Sequence, residues 1–174
     1  GASWGDNYVS AIKYGDGTGM WIAVGTGGAI AYSVDDGVSW RVITLPTSWN
    51  SADIYDVSYD YGTWTIVGAN GKVATSTNGT AWEVGEATTA LGTTTLRASA
   101  HGASELGIEH IIVGDTNKIA YSNSTTGSLG ALTVVTTSSE GSLSIELDTA
   151  ITNWLAGDAS TSKTVLLTFN TTSS

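Results

Sequence analysis

The sequence contains no cysteine, one proline, one phenylalanine and only six Lys and Arg among 174 residues. Without cysteine, a disulfide framework and a zinc site with thiolate ligands are both excluded. The six basic residues face 16 Asp and Glu, so the formal net charge is −10. Such a field repels a phosphate backbone and an anionic lipid surface. Because no stretch of 18 apolar residues occurs either, we expect no nucleic-acid partner and no membrane insertion.

The residues that are abundant favour strands and tight turns. The chain has 22 Gly, seven Trp and seven Tyr, together with long stretches rich in Thr and Ser. Aromatic residues and Thr are enriched in β-strands, and Gly allows the backbone of tight turns. The composition therefore predicts an all-β protein.

The sequence also repeats, with a period of about 44 residues. The segment WIAVGTGGAIAYSVDDGVSW at 21–40 aligns with WTIVGANGKVATSTNGTAW at 64–82, with one residue fewer in the second copy. A weaker third copy at 110–129 has His110 in the tryptophan position, and a fourth is suggested at 154–170. The single domain 1–174 therefore divides into four repeats, approximately 1–46, 47–89, 90–136 and 137–174.

Each repeat contains four short strand signals separated by turn residues. In the first repeat these are Val9 to Tyr14, Trp21 to Gly25, Ala29 to Ser33 and Trp40 to Leu45. A four-stranded antiparallel sheet with apolar residues on both faces has to stack on its neighbours. The predicted fold is therefore a small β-propeller of about four such blades. The last blade is expected to be incomplete, because the fourth repeat as given has no signal for a fourth strand.

A recurrent motif lies between the third and fourth strand signals. The string SVDDGVSW from Ser33 to Trp40 fits the pattern S-x-D-x-G-x-x-W. It resembles the Asp-box, or BNR repeat, of sialidase-type propellers and of many phage and bacterial surface proteins. STNGTAW from Ser76 to Trp82 is similar to a shortened variant. The motif positions are Ser33, Asp35, Gly37 and Trp40 in the first copy and Ser76, Asn78, Gly79 and Trp82 in the second.

The spacing of the motif has a local explanation that requires no ligand. An Asp or Asn side chain accepts hydrogen bonds from backbone N–H groups across the turn, and Gly takes a positive φ. The Trp ring packs back on its own sheet. We therefore expect Asp35, Asp36 and Asn78 to have a structural role.

Catalysis of the sialidase type is excluded. The family resemblance implies three clustered arginines, a Tyr–Glu nucleophile pair and an acidic proton donor, but this chain has only Arg41 and Arg97. A glycoside hydrolase with a carboxylate pair is an alternative. The acidic residues considered for such a pair are Asp56, Asp60, Glu105, Glu109, Glu146 and Asp148.

Metal sites have weak support. His101 and His110 lie nine residues apart, but a zinc site needs at least one further ligand nearby. Calcium bound by turn carboxylates such as Asp16 has no loop consensus to support it. We therefore expect no enzymatic activity, no cofactor and no metal.

Four aromatic side chains are candidates for binding a ligand or partner. Trp4 and Trp49 each lie in a polar connection ahead of a first strand. Such a ring can stack on a sugar, although a repeated Trp is more often a wedge between blades. Tyr55 and Tyr61 are companion candidates.

The end of the chain predicts a contact with another protein. The segment TVLLTF from Thr164 to Phe169 is expected to form an apolar edge that a partner completes. The resemblance favours a non-enzymatic structural or adhesion module at a virion or cell surface, for example a phage decoration, tail or fibre protein. A lectin-like propeller that binds a host-surface glycan is the first alternative, and a glycoside hydrolase is the second.

Overall fold

The computed structural model describes residues 4–85, 91–102, 110–122 and 133–136. The chain divides into two compact units, Gly1–Ser138 and Ser139–Ser174, and all described residues belong to the first. These residues form an all-β structure in which short 3-10 turns occur but no α-helix. The predicted fourth repeat and the predicted edge at Thr164–Phe169 lie outside the described residues.

The strands form three four-stranded antiparallel sheets. The first contains β1 (Val9–Gly15), β2 (Met20–Gly25), β3 (Ile30–Ser33) and β4 (Arg41–Ile43). The second contains β5 (Ile54–Asp60), β6 (Thr63–Gly68), β7 (Val73–Ser76) and β8 (Glu83–Gly85). The third contains β9 (Leu96–His101), β10 (His110–Gly114), β11 (Lys118–Ser122) and β12 (Thr133–Thr136). Each strand pairs with its neighbours in sequence, so the predicted antiparallel meander is confirmed for the first three repeats.

The strand register places repeated residues at equivalent positions. In each sheet the same position of the second strand pairs with the serine of the third strand: Trp21 with Ser33, Trp64 with Ser76, and His110 with Ser122. His110 therefore occupies the position of the two tryptophans.

A glycine ends the second strand of each sheet because a backbone carbonyl lies against it. A Cβ atom on Gly25 would lie 2.0 Å from the carbonyl oxygen of Tyr8, and one on Gly68 would lie 2.1 Å from that of Asp53. Real Cβ atoms do not approach backbone oxygen so closely. The recurrent Val-Gly pairs in the sequence therefore have a steric cause.

The three sheets stack in the same direction. We define face A as the face that carries Val24 in the first sheet and Val67 in the second, and face B as the opposite face, which carries Ile12 and Val57. Face A of the first sheet packs on face B of the second, and the shared core includes Ile22, Val24, Ile30, Ile54, Val57, Trp64 and Ile66. Face A of the second sheet packs on face B of the third through Val67, Val73, Leu96, Ile112 and Ala120.

The first strand of each sheet lies beside the first strand of the next. Contacts join β1 to β5 and β5 to β9. Ile54 at the start of β5 is completely buried, and burial of such a side chain stabilises the fold by about 1.5 to 3 kcal/mol. The sheets are thus joined both by the shared apolar cores and by contacts between these first strands.

Candidate functional site

The turn from β3 to β4 is organised around the carboxylate of Asp35. Its Oδ1 accepts hydrogen bonds from the Ser33 hydroxyl and from the Ser39 backbone N–H, both at 2.8 Å. Its Oδ2 accepts one from the Ser39 hydroxyl at 2.5 Å. These bonds, with that of the Ser39 hydroxyl the largest cause, lower the pKa of Asp35 from 3.8 to about 2. The carboxylate therefore stays ionised and is engaged by its own turn.

Gly37 and Trp40 complete this first turn. Gly37 has a φ of 85°, a backbone conformation that favours glycine, and its N–H donates to the Ser33 Oγ at 2.9 Å. The Trp40 Nε1–H donates to the Gly37 carbonyl oxygen at 3.0 Å. The half-buried indole therefore folds back over the turn instead of extending into solvent.

The second turn, between β7 and β8, has the same pattern with an amide in place of the carboxylate. Asn78 Oδ1 accepts the backbone N–H groups of Thr80 at 2.9 Å and Ala81 at 2.8 Å. The Ser76 Oγ accepts the Gly79 N–H at 2.9 Å. Since an amide oxygen accepts the same bonds as a carboxylate oxygen, the negative charge is not required for the turn.

The second turn also packs on the preceding sheet, whereas the first turn is open. A Cβ atom on Gly79 would lie 2.5 Å from Sδ of Met20 and 3.1 Å from Cδ1 of Ile22, both in β2. At Gly37 the one neighbour within 4 Å is the ring of Trp40, at 3.9 Å. Accordingly Trp82 is buried and Trp40 only half-buried. The turn of one repeat is thus part of the contact with the repeat before it.

Trp4 and Trp49 lie over the equivalent glycines of their own repeats. A Cβ atom on Gly25 would lie 3.2 Å from the Trp4 ring, and one on Gly68 would lie 3.2 Å from the Trp49 ring. Trp49 also packs on Gly28 of the first repeat and is buried. It therefore lacks the exposed ring face that stacking on a ligand requires, and it is a wedge between the first two repeats. Trp4 is half-buried.

An open groove of about 540 Å³ is lined by both tryptophans. Asn7, Pro46 and Asn50 are among its other lining residues. Tyr55 and Tyr61 do not line it. Of the four predicted aromatic residues, the structure brings the two tryptophans together and leaves the two tyrosines elsewhere.

Tyr55 belongs to a contact between the second and third sheets. The guanidinium carbon of Arg97 lies 4.8 Å from the centroid of its ring. The Arg97 Nε and Nη2 donate to the two carboxylate oxygens of Asp115, both at 2.9 Å, which raises the pKa of Arg97 and lowers that of Asp115. Tyr61 is exposed in the turn between β5 and β6, with a φ of 45°.

The two described carboxylates of the hydrolase alternative are engaged by neighbouring groups. Asp56 Oδ2 accepts hydrogen bonds from the Ser99 N–H at 2.7 Å and the Ser99 hydroxyl at 3.2 Å. Asp60 Oδ1 accepts the Tyr61 N–H at 2.9 Å. The other candidates, Glu105, Glu109, Glu146 and Asp148, lie outside the described residues.

His101 and His110 are direct partners in the pairing of β9 with β10. Their ring centroids are 4.1 Å apart, and His101 Nε2 lies 3.1 Å from the Thr65 Oγ1. Burial, and secondarily the neighbouring His110, lowers the pKa of His101 to about 4. His101 is therefore neutral at pH 7. Among the residues that the structure describes, no group of three potential metal ligands occurs.

A scan of the sequence against protein-family models found no matching family, and a search of curated proteins found no match. Over the described ranges, no helix has the length and apolar composition needed to cross a lipid bilayer.

Proposed function

We propose that this chain is a non-enzymatic structural or adhesion module in which the repeats are blades of a small β-propeller. The observation that carries the proposal is the repeated packing of face A on face B, with β1, β5 and β9 side by side. In a β-propeller, four-stranded blades are arranged radially around a central channel, so that each blade packs face to face on the next. The resemblance of the turns to Asp-box repeats supports the same arrangement.

The hydrogen bonds made by the polar side chains favour a non-enzymatic role. The acceptors of Asp35, Asn78 and Asp56 are used by hydrogen bonds within turns or between sheets. A general acid or nucleophile needs an oxygen that is free to meet a substrate. The roles of Asp35, Asn78 and Oδ2 of Asp56 in these hydrogen bonds are structural, which supports a module whose polar side chains serve the fold.

We propose further that the module belongs to an exterior assembly such as a phage virion, as a decoration, tail or fibre protein. Support comes from the resemblance of the repeats to those of phage and bacterial surface proteins, and from exposed apolar residues such as Val38 and Val34 on the first turn. Neighbouring proteins of the particle would contact such surfaces. Contact at Thr164–Phe169 is part of the same proposal.

Mass spectrometry of particles purified from the source tests this role. The chain is expected at a fixed ratio to the other particle proteins, with chemical crosslinks to at least one of them. A chain found only as free protein would contradict an assembly role.

A lectin-like role is the second candidate because of the groove at Trp4. Trp4, which is half-buried, lines one open groove together with Asn7 and Asn50, and sugars bind to combinations of aromatic ring and amide. A glycan array with the wild-type chain and Trp4→Ala tests it. Binding that disappears in Trp4→Ala would favour the lectin over the purely structural module.

A further inference from the structure

The sequence has four places where Asp or Asn is followed by glycine: Asp16–Gly17, Asp36–Gly37, Asn70–Gly71 and Asn78–Gly79. In such a pair the backbone nitrogen of glycine can attack the side-chain carbonyl carbon of the residue before it, because glycine has no side chain to hinder the approach. An amide is a better electrophile than an ionised carboxylate, so asparagine is the more labile of the two residues. In an unfolded chain the two Asn–Gly pairs are therefore expected to react first.

In the folded chain the glycine nitrogens of both Asn–Gly pairs are held by hydrogen bonds. The Gly79 N–H donates to the Ser76 Oγ at 2.9 Å, and the Gly71 N–H donates to the Thr94 carbonyl oxygen at 2.8 Å. Both glycines are also buried. Each nitrogen would have to give up its hydrogen bond before it could attack, and that costs most where the group is buried. The fold therefore protects the pairs that the sequence makes most reactive.

The two Asp–Gly pairs are both exposed, but their glycine nitrogens differ. The Gly37 N–H donates to the Ser33 Oγ at 2.9 Å. Among the described residues, neither the Gly17 N–H nor the Asp16 carboxylate has a hydrogen-bond partner. A Cβ atom on Gly17 would have nothing within 4 Å, so the turn between β1 and β2 has room for a reaction of its backbone.

We propose that Asp16 is the residue at which the folded chain forms isoaspartate spontaneously, ahead of both Asn–Gly pairs. The Gly17 nitrogen attacks Cγ of the protonated Asp16 carboxyl group; a C–N bond forms, a C–O bond breaks, and the nitrogen's proton leaves with the hydroxyl group as water. The product is a five-membered succinimide ring. Water then adds to the main-chain carbonyl carbon of Asp16 and breaks its bond to nitrogen, so the chain continues through Cγ. Addition of water at Cγ instead restores aspartate.

The modified turn lies against the second sheet. The Thr18 N–H and hydroxyl both donate to the Gly15 carbonyl oxygen, at 3.0 and 2.7 Å, and close the turn around Asp16. Gly15 in turn packs against the ring of Trp64. Isoaspartate adds one carbon atom to the main chain inside this closed turn. The modified chain is therefore expected to melt at a lower temperature than the unmodified chain.

Peptide mapping of the aged full chain tests the proposal. Folded protein and protein unfolded in urea are incubated at neutral pH, and electron-transfer fragmentation in the mass spectrometer distinguishes isoaspartate from aspartate. In the folded sample, Asp16 is expected to react about tenfold faster than Asp36, the factor that the hydrogen bond of the Gly37 nitrogen supplies, and Asn70 and Asn78 are expected to stay intact. In urea the two asparagines are expected to react first. Deamidation ahead of Asp16 in the folded sample, equal rates at the two aspartates, or no isoaspartate at Asp16 would each overturn the proposal.

Two variants test the chemistry and the protection separately. Asp16→Glu keeps the charge at an exposed turn but cannot close a five-membered ring, so the isoaspartate signal and the fall in melting temperature on ageing should both disappear. Ser33→Ala removes the acceptor of the Gly37 N–H and is expected to raise the rate at Asp36 towards that at Asp16, which is the internal reference in the same sample. A signal that persists in Asp16→Glu contradicts the assignment. An unchanged rate at Asp36 in Ser33→Ala, with an unchanged circular dichroism spectrum, contradicts protection by the hydrogen bond.

Discussion

Asp56 of β5 accepts a 2.7 Å hydrogen bond from the backbone N–H of Ser99 in β9. This contact joins the second sheet to the third at the strands that lie side by side. Replacement by Ala leaves the Ser99 N–H without its acceptor, so Asp56→Ala is expected to lower the free energy of unfolding by about 2 kcal/mol. Chemical denaturation measures this change. Asp56→Asn, which keeps one oxygen, is the matched control and should lose less; equal losses would contradict the role of the oxygen.

Two adjacent carboxylates of the first turn, Asp35 and Asp36, are expected to differ in their contribution to stability. Asp35 accepts three hydrogen bonds within the turn, whereas the neighbouring Asp36 is exposed. Asp35→Ala is therefore expected to lower the melting temperature, whereas Asp36→Asn, which keeps a residue type suited to the positive φ of 56° at this position, is expected to leave it unchanged. Asp35→Asn keeps one acceptor oxygen, as Asn78 does in the second turn, but loses the acceptor of the Ser39 hydroxyl, so it is expected to lower the melting temperature less than Asp35→Ala does. An equal loss in Asp35→Asn would show that the second oxygen or the charge itself is required.

The end of β6 leaves no room for a side chain at Gly68. A Cβ atom there would lie 2.1 Å from a backbone carbonyl oxygen, so Gly68→Ala is expected to cost about 3 kcal/mol of stability. Gly102 has no atom within 4 Å of a Cβ position, and Gly102→Ala is the control that should be nearly neutral. The two variants are compared by denaturant unfolding. Similar stability of both would contradict the close approach at Gly68.

The half-buried His101 is expected to make the stability depend on pH. The pKa of His101 is lowered from 6.5 to about 4 in the folded chain, so the unfolded chain binds the proton first as the pH falls. The stability from neutral His101 is complete above pH 6.5 and is lost progressively towards pH 4. The melting temperature measured over this range should fall, and His101→Gln, which does not titrate, should flatten the curve. An identical decline in His101→Gln would assign the effect to other groups.

The strand arrangement was predictable because the same residue types recur at the same strand positions in each repeat. Gly25 and Gly68 end equivalent strands for the same steric reason, and Trp21 and Trp64 keep the same register partners. The local turns were predictable as well, since Asp35 and its hydrogen-bond donors lie within six residues of one another in sequence. Both features depend on contacts between residues close in sequence, so the spacing of those residues along the chain is enough to predict them.

The contacts between sheets were not predictable in the same way. The burial of Trp49 depends on Gly28 of another repeat, and the engagement of Asp56 depends on Ser99, 43 residues away. A single sequence contains no signal for such pairs. The pairing of His101 with His110 was missed because it depends on the register of β9 and β10, which the nine-residue separation does not specify.

Each described repeat packs in one direction on the repeat before it, and an NMR measurement tests this packing. Ile22 Cδ1 lies close to Gly79 across the interface between the first and second sheets. The predicted result is a nuclear Overhauser effect between the Ile22 δ1 methyl group and the Gly79 α protons. An Ile22 methyl group with cross-peaks only to protons of its own sheet would contradict the stacked arrangement.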